Sequence, residues 1–353
     1  MIFVQQTWVP MSRPLDFIIF GVPRSGTKGL VRALNLHPHV YCAMERFYFR
    51  TDHSALTFPE SFVDASVSRN RDDADKIDAI KTELVEKHDV RYAGNKLPRY
   101  YFALSRINHE VPQLKNIWIY RSPYSFLPSW NRRELNNSRG QWPAGQVGLF
   151  GLLELLVCIE NCLDLPKDVY VFPYEAGLGH SDEVVRQTLD FLGANPDLYE
   201  EQAFQKVQRQ KYSKRVTRTG NSSSGVALRD YEEELLDVLH LRDLDLILDQ
   251  GRGVMVSGIA GALKDYLDRV TPVLPEALDR AFSACDNEAV PSFGREYFRR
   301  YRGELEGLLK RADGSKALAS FQRFGTYDRL KSLYVQRWQL RRRLGSIRLS
   351  EPS

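Results

Sequence analysis

Apolar positions along the first half of the chain come in short unbroken runs separated by stretches of helical period. DFIIFG (16–21), HVYCA (39–43), NIWIYR (116–121) and VYVFPYE (169–175) each read as a strand. A continuous apolar run, rather than an alternating one, marks a strand buried on both faces, as in a parallel sheet covered by helices. Between these runs the spacing predicts a helix from about Thr27 to Leu36 that stops before His37-Pro38. It predicts a solvated helix over 69–89, where apolar positions are few, and a buried one over 147–163, VGLFGLLELLVCIENCL. DEVVRQTLDFLG (182–193) reads as an amphipathic helix with Gly193 just past its end. Beyond about residue 225 strand signals fade, and LRDYEEELLDVLHLRDLDLIL and most of 256–345 carry helical spacing. The pattern predicts an α/β fold: a central parallel sheet flanked by helices, with a mostly helical C-terminal extension. A break at DQGRG, near residue 250, divides a main domain (15–250, after an N-terminal tail of 1–14) from a helical region (251–353) packed on the core.

Composition narrows the class only mildly. The 353 residues are 43% hydrophobic, enough for a substantial core. A net charge of +4 gives no reason to expect nucleic acid as a partner. The four cysteines follow no disulfide or metal-ligand spacing; Cys158 and Cys162 share one helix face and read as buried reduced thiols. The N-terminus lacks the basic and apolar regions of a signal peptide, and the 147–163 run contains Glu154 and is shorter than the about 20 residues a membrane span needs. These features give a cytoplasmic chain as the expectation.

The chemistry starts in GVPRSGTK (21–28). Strand, glycine-rich turn and helix follow one another as in a P-loop, with Gly21 and Gly26 at the P-loop spacing, so the sheet is expected to be P-loop-NTPase-like. The next letters are Thr27 and Lys28, so no lysine follows Gly26 and no hydroxyl follows the lysine. The backbone N–H groups of Ser25 to Lys28 would open a helix toward an anion, with Arg24 as a forked donor and Thr27 as a hydroxyl. The magnesium ligand of an ATP loop is missing, so a phosphorylated ligand held without metal is expected.

A second anion site begins at Arg121, at the ligand-binding end of the strand NIWIYR, with Ser129 eight residues on in RSPYSFLPS. Together, GVPRSGTK and RSPYSFLPS resemble the PAPS-dependent sulfotransferase family. LNLHPHV, NKLPRYYF, VPQLKNIWIYR, VFPYE and FLG resemble further family segments in the same order, over about residues 15–225. The resemblance implies that the first loop, Arg24, Ser25, Gly26, Thr27, Lys28 and Gly29, cradles the 5′-phosphosulfate of PAPS, the donor co-substrate. It implies that Arg121 and Ser129 hold the 3′-phosphate. Arg218 and Gly220, in the basic segment KYSKRVTRTGNSSSG, match the lid over that phosphate only loosely. Arg24 stands where many members have lysine.

A hydroxyl acceptor needs a base. The histidine of the small-molecule branch is absent here: Lys96 is followed by Leu97-Pro98. CAMERFYF resembles instead the segment in which the bacterial and heparan-type branch carries a glutamate base, which implies Glu45, with Phe47, Tyr48 and Phe49 partly drying the site. Lys96 would support the bridging oxygen or the acceptor. The resemblance points to a glycan, glycolipid or small-molecule acceptor. The aromatic and basic segment 320–350 has eight Arg or Lys and a single Asp. It reads as a helix that packs on its own domain or meets an anionic membrane, an acidic glycan or a partner subunit. Two rivals remain: a P-loop kinase or NTPase, which would need magnesium, and a non-catalytic nucleotide- or glycan-binding protein of the same fold.

Overall fold

A computed structural model describes residues 12–48, 51–67, 74–87, 89–135, 148–179, 182–199, 204–205 and 228–286. The expectations for Arg218, Gly220 and the basic segments after residue 286 lie outside the described residues. The chain divides into two compact units that exchange segments. One holds 1–122, 161–225 and 244–263; the other holds 123–160, 226–243 and 264–353.

The strands are β1 (Arg13–Pro14), β2 (Phe17–Phe20), β3 (Val40–Met44), β4 (Thr57–Phe58), β5 (Tyr92–Lys96), β6 (Lys115–Tyr120), β7 (Val169–Pro173) and β8 (Val254–Met255). The helices are α1 (Thr27–Leu34), α2 (Glu60–Val63), α3 (Ala74–Lys87), α4 (Leu104–Glu110), α5 (Pro123–Leu135), α6 (Gly148–Leu163), α7 (Tyr174–Gly179), α8 (Glu183–Leu192), α9 (Asp230–Val238), α10 (Leu241–Leu248) and α11 (Val256–Asp286).

In the first unit, β1 and β4 form a small antiparallel pair. The main sheet has the order β3-β5-β2-β6-β7-β8, parallel throughout except for β8, which runs antiparallel to β7. All four residues of β2 are buried, as the unbroken FIIF run requires. Phe17, Ile19, Ile117, Ile119, Cys42 and Phe172 join Leu30, Val31 and Leu34 of α1 and Val185, Leu189 and Leu192 of α8 in one core cluster. The alternate positions Ile18, Phe20, Trp118 and Tyr120 are buried as well, so both faces of the central strands are covered. The chain runs from β2 to β3 on one side of the sheet and then crosses back from β5 to β6 on the other side of β2. This reversal makes a switch point at the carboxyl ends of β2, β5 and β6, where ligands bind in open α/β sheets.

The structure departs from the sequence reading at β5, whose YAGNK carries no apolar run, and at β8, two residues long just past the break at DQGRG. The expected strand over 169–175 ends at Pro173, and Tyr174 and Glu175 open α7. In the second unit, Phe126, Trp130, Leu155, Ile159, Leu235, Leu236, Tyr266 and Val270 are buried. Gly151 lets α6 approach Phe126 and Trp130; a Cβ there would sit 2.9 Å from each ring. Two buried polar contacts lie within this unit: Asn131 donates to Glu232 (2.7 Å), and the Tyr266 hydroxyl donates to the Leu239 carbonyl (2.9 Å). Cys42, Cys158 and Cys162 are buried and form no disulfide among the described residues. No helix among the described residues is long and apolar enough to cross a membrane.

Candidate active site

Strand β2 delivers the chain to Gly21 at the carboxyl edge. A Cβ at Gly21 would meet the carbonyl oxygen of Ile119 and, at 2.7 Å, Ser25 Oγ, so a glycine is needed for the loop to lie on β6. The Ser25 N–H donates back to the Val22 carbonyl (2.9 Å) and closes the turn. Gly26 then caps α1 in the left-handed region, φ 96°, a conformation that costs a residue with a Cβ about 1–2 kcal/mol. Its flank is filled by the ring of Tyr174, which any Cβ would overlap.

The cap residue of α1, Gly26, has no side chain to offer, and no acidic residue lies in the first turn. The first-turn N–H groups have no carbonyl four residues back, so they face outward with the positive end of the helix dipole, the standard elements of an anion site. Ser25 is 1% exposed, and its hydroxyl has no hydrogen-bond partner among the described residues. A buried hydroxyl without a protein partner is unfavourable, so Ser25 is available to donate to a ligand or an ordered water. Thr27 is buried and Lys28 is exposed in the same turn; Arg24, at φ 80°, is half-buried. Gly29 is placed differently. Its N–H donates to the Gly26 carbonyl (2.7 Å) and its flank faces Leu178, so it serves the packing of α1 on α7.

Arg121 stands just past β6. Its Nη1 donates to the Arg24 carbonyl at 3.0 Å, and its guanidinium lies 4.6 Å from the centre of the Tyr174 ring. The next residue, Ser122, donates its hydroxyl to Asp245 of α10 at 2.8 Å, and the Tyr120 hydroxyl donates to the other oxygen of Asp245. Burial raises the Asp245 pKa, against the lowering effect of these two hydrogen bonds.

Glu45 follows β3 at φ 57°, another left-handed residue with a side chain. Its N–H ends the β3–β5 ladder on the Lys96 carbonyl (2.6 Å), and its carboxylate meets Lys96 Nζ at 2.7 Å. The Lys96 side chain is 4% exposed and that of Glu45 is 42% exposed. A buried ammonium needs a counter-charge, and Glu45 supplies it while presenting its carboxylate to solvent. Phe47 turns into the core instead of drying Glu45; its ring packs edge-on against Phe62 at 5.0 Å.

The turn after Glu45 is held by Asn95, the fully buried neighbour of Lys96. Its Oδ1 accepts from the N–H groups of Arg46 (3.0 Å) and Phe47 (3.4 Å), and its Nδ2 donates to the Phe47 carbonyl (3.1 Å). Adjacent strand residues face opposite ways, so β5 grips the Glu45 turn by backbone on one face and by charge on the other. The Tyr100 hydroxyl also donates to the Phe47 carbonyl (3.0 Å), and His53 and Glu110 stand behind Tyr100. Asn95→Ala would strand two buried backbone N–H groups, those of Arg46 and Phe47, and is expected to lower stability by about 2–4 kcal/mol, read from denaturant midpoints.

Burial raises the Glu110 pKa, but hydrogen bonds from His53 and Arg106 outweigh it and hold the group at about 2. A folded-state pKa below the unfolded value means stability that is present above the ordinary glutamate range and lost as pH falls toward about 2. Glu110→Gln is therefore expected to flatten the acid limb of stability against pH, measured by thermal melts.

The structure thus brings Arg24, Ser25, Gly26, Thr27, Lys28, Glu45, Lys96 and Arg121 to one sheet edge. Ser129 lies buried on α5, in the second unit. Sequence reasoning missed Tyr174, Glu175, Asn95 and Asp245. The polar pair Asn95-Lys96 inside a buried segment was the one local signal, because buried polar side chains require partners.

The model of the Sulfotransferase family matches residues 16–198, just over half of the chain and every strand of the main sheet except β8. No curated protein matches. Among solved structures, the chain is similar to a sulfotransferase from Alicyclobacillus acidocaldarius, with 16% identity over 74% of this chain and 95% of that one and a TM-score of 0.42. It is similar to the sulfotransferase domain from the curacin biosynthetic pathway, with 19% identity over 53% and 77% and a TM-score of 0.36. The sulfotransferase domain from the Synechococcus PCC 7002 olefin synthase gives 19% identity over 52% and 74% and a TM-score of 0.36. On the extent of the family match, the chain belongs to the sulfotransferase family.

Proposed function

We propose that this sulfotransferase uses PAPS as donor and an acceptor hydroxyl or amine, with Glu45 as the base. The observation that carries the reading is the Glu45–Lys96 pair, 2.7 Å apart, on the same carboxyl edge as an uncapped helix N-terminus with an orphan buried hydroxyl. The residues fit a phosphosulfate. Ser25, Gly26 and Thr27 present donors, Arg24 and Lys28 offset charge, and no acidic residue of the first turn repels it. PAPS would supply a sulfuryl group whose S–O bond to the 5′-phosphate breaks as a bond forms to the acceptor atom.

Glu45 would take the proton that the acceptor loses. Lys96 orients that carboxylate before transfer, and its charge loses this partner once Glu45 is protonated. That charge then supports the bridging oxygen. Arg121 takes the 3′-phosphate; Ser129 is assigned to it on the eight-residue spacing alone. A glycan or glycolipid is the favoured acceptor class, since the glutamate at this place resembles that branch. The basic segment 320–350 would bring the chain to an anionic membrane carrying such an acceptor.

The donor assignment is tested by calorimetric titration with 3′-phosphoadenosine 5′-phosphate in EDTA. Binding without metal is the expected result; binding of ATP only, and only with magnesium, would favour a kinase. Ser25→Ala is expected to weaken that binding by about tenfold while leaving the ligand-free melting temperature unchanged or raised, since its hydroxyl has no hydrogen-bond partner among the described residues. A lowered melting temperature with unchanged affinity would contradict this assignment.

A further inference from the structure

Arg121 is fixed from several directions before any ligand arrives. Its Nη1 donates to the carbonyl of Arg24, where the first loop passes through the left-handed region at φ 80°. Its guanidinium lies over Tyr174, and the same ring occupies the flank of Gly26. Glu175 Oε1 stands 3.8 Å from Arg121 Nε, and Oε2 of Glu175 accepts from the Ser122 N–H at 3.4 Å. Behind Ser122 is Asp245, which ties the end of β6 to α10. The guanidinium is a rigid fork with five donors, so one can hold a carbonyl while others face an anion. A lysine at this position keeps the charge and loses the fork.

We propose that Arg121 is a positioning residue for the 5′-phosphosulfate loop, in addition to any contact with the 3′-phosphate. Through the Arg24 carbonyl and the shared Tyr174 ring it holds Arg24–Gly26 in the shape that turns the N–H groups toward an anion. The two ends of the donor are thereby coupled, since the group that meets one phosphate also sets the cradle for the other. This inference rests on the reading of the donor as a nucleotide bearing both 5′ and 3′ phosphate groups.

The test uses two probes, 3′-phosphoadenosine 5′-phosphate and adenosine 5′-phosphate, titrated into the full chain and its Arg121→Lys and Arg121→Gln variants. Adenosine 5′-phosphate has no 3′-phosphate for Arg121 to meet. Its affinity is nevertheless expected to fall by about tenfold or more in both variants, the effect of one charge-assisted hydrogen bond. Amide exchange at Ser25, whose N–H closes the turn on the Val22 carbonyl, is expected to speed up in the ligand-free variants, which a role in ligand contact alone would not produce. Should affinity for adenosine 5′-phosphate stay within about twofold while that for the bisphosphate falls, Arg121 serves the 3′-phosphate only and the proposal is overturned. A wild-type chain that binds neither probe overturns the donor reading itself. Arg121→Lys keeps the charge beside Glu175, so one variant remains measurable if the neutral one does not fold.

Discussion

Glu45→Gln is expected to lower the rate of sulfuryl transfer by about 10²–10⁴, the usual contribution of a positioned general base. Glutamine is isosteric and cannot take a proton, so the change removes the proton acceptor and leaves the shape. It also leaves Lys96, with a 4% exposed side chain, facing an amide instead of a carboxylate. Breaking a fully buried pair costs about 3–5 kcal/mol; because Glu45 is 42% exposed, water screens the contact and a smaller loss of melting temperature is expected. Two measurements separate these effects. Affinity for 3′-phosphoadenosine 5′-phosphate should remain, because the loop does not depend on Glu45, while turnover on the accepted substrate falls. Full turnover with donor binding intact would show that another group takes the proton.

The second large effect is expected at Gly26. Gly26→Ala puts a Cβ where the Tyr174 ring lies, at a residue whose φ of 96° already disfavours any side chain. The backbone strain of about 1–3 kcal/mol adds to the displacement of a ring that also supports Arg121, so donor affinity should drop by about 10²-fold. The loop sits at the sheet edge, outside the apolar cluster, so the fold should persist. Circular dichroism matching wild type together with lost binding is the expected pair of results. Wild-type affinity in this variant would mean that the loop does not cradle the donor.

How far the site was legible in the sequence follows from which interactions are local. FIIF and the glycines after it specify strand, turn and helix within a dozen residues, and NIWIYR places Arg121 by the same local logic. YAGNK gave no such signal: two of its buried residues, Asn95 and Lys96, are polar and are satisfied by Arg46, Phe47 and Glu45, about fifty positions away. A hydropathy pattern cannot register a partner that distant, so the strand adjoining both β2 and β3 went unseen. Tyr174 and Glu175 were hidden for a related reason, since VYVFPYE reads as one run although the strand ends at Pro173. The left-handed residues Arg24 and Glu45 carry no sequence mark at all. Only the tertiary frame, the Arg121 contact at one and the Asn95 clamp after the other, holds them there.

The carboxyl edge is expected to transfer a sulfuryl group from PAPS with Glu45 as the base. The most direct measurement of this transfer is incubation of the full chain with sulfur-35-labelled PAPS, without added metal, over a panel of extracted glycans and lipids, beside Glu45→Gln. Label in an acceptor fraction with stoichiometric release of 3′-phosphoadenosine 5′-phosphate, and near-complete loss of both in Glu45→Gln, are the expected results. Tight binding of the nucleotide with no label moved to any fraction, or equal labelling by the two proteins, would contradict that expectation.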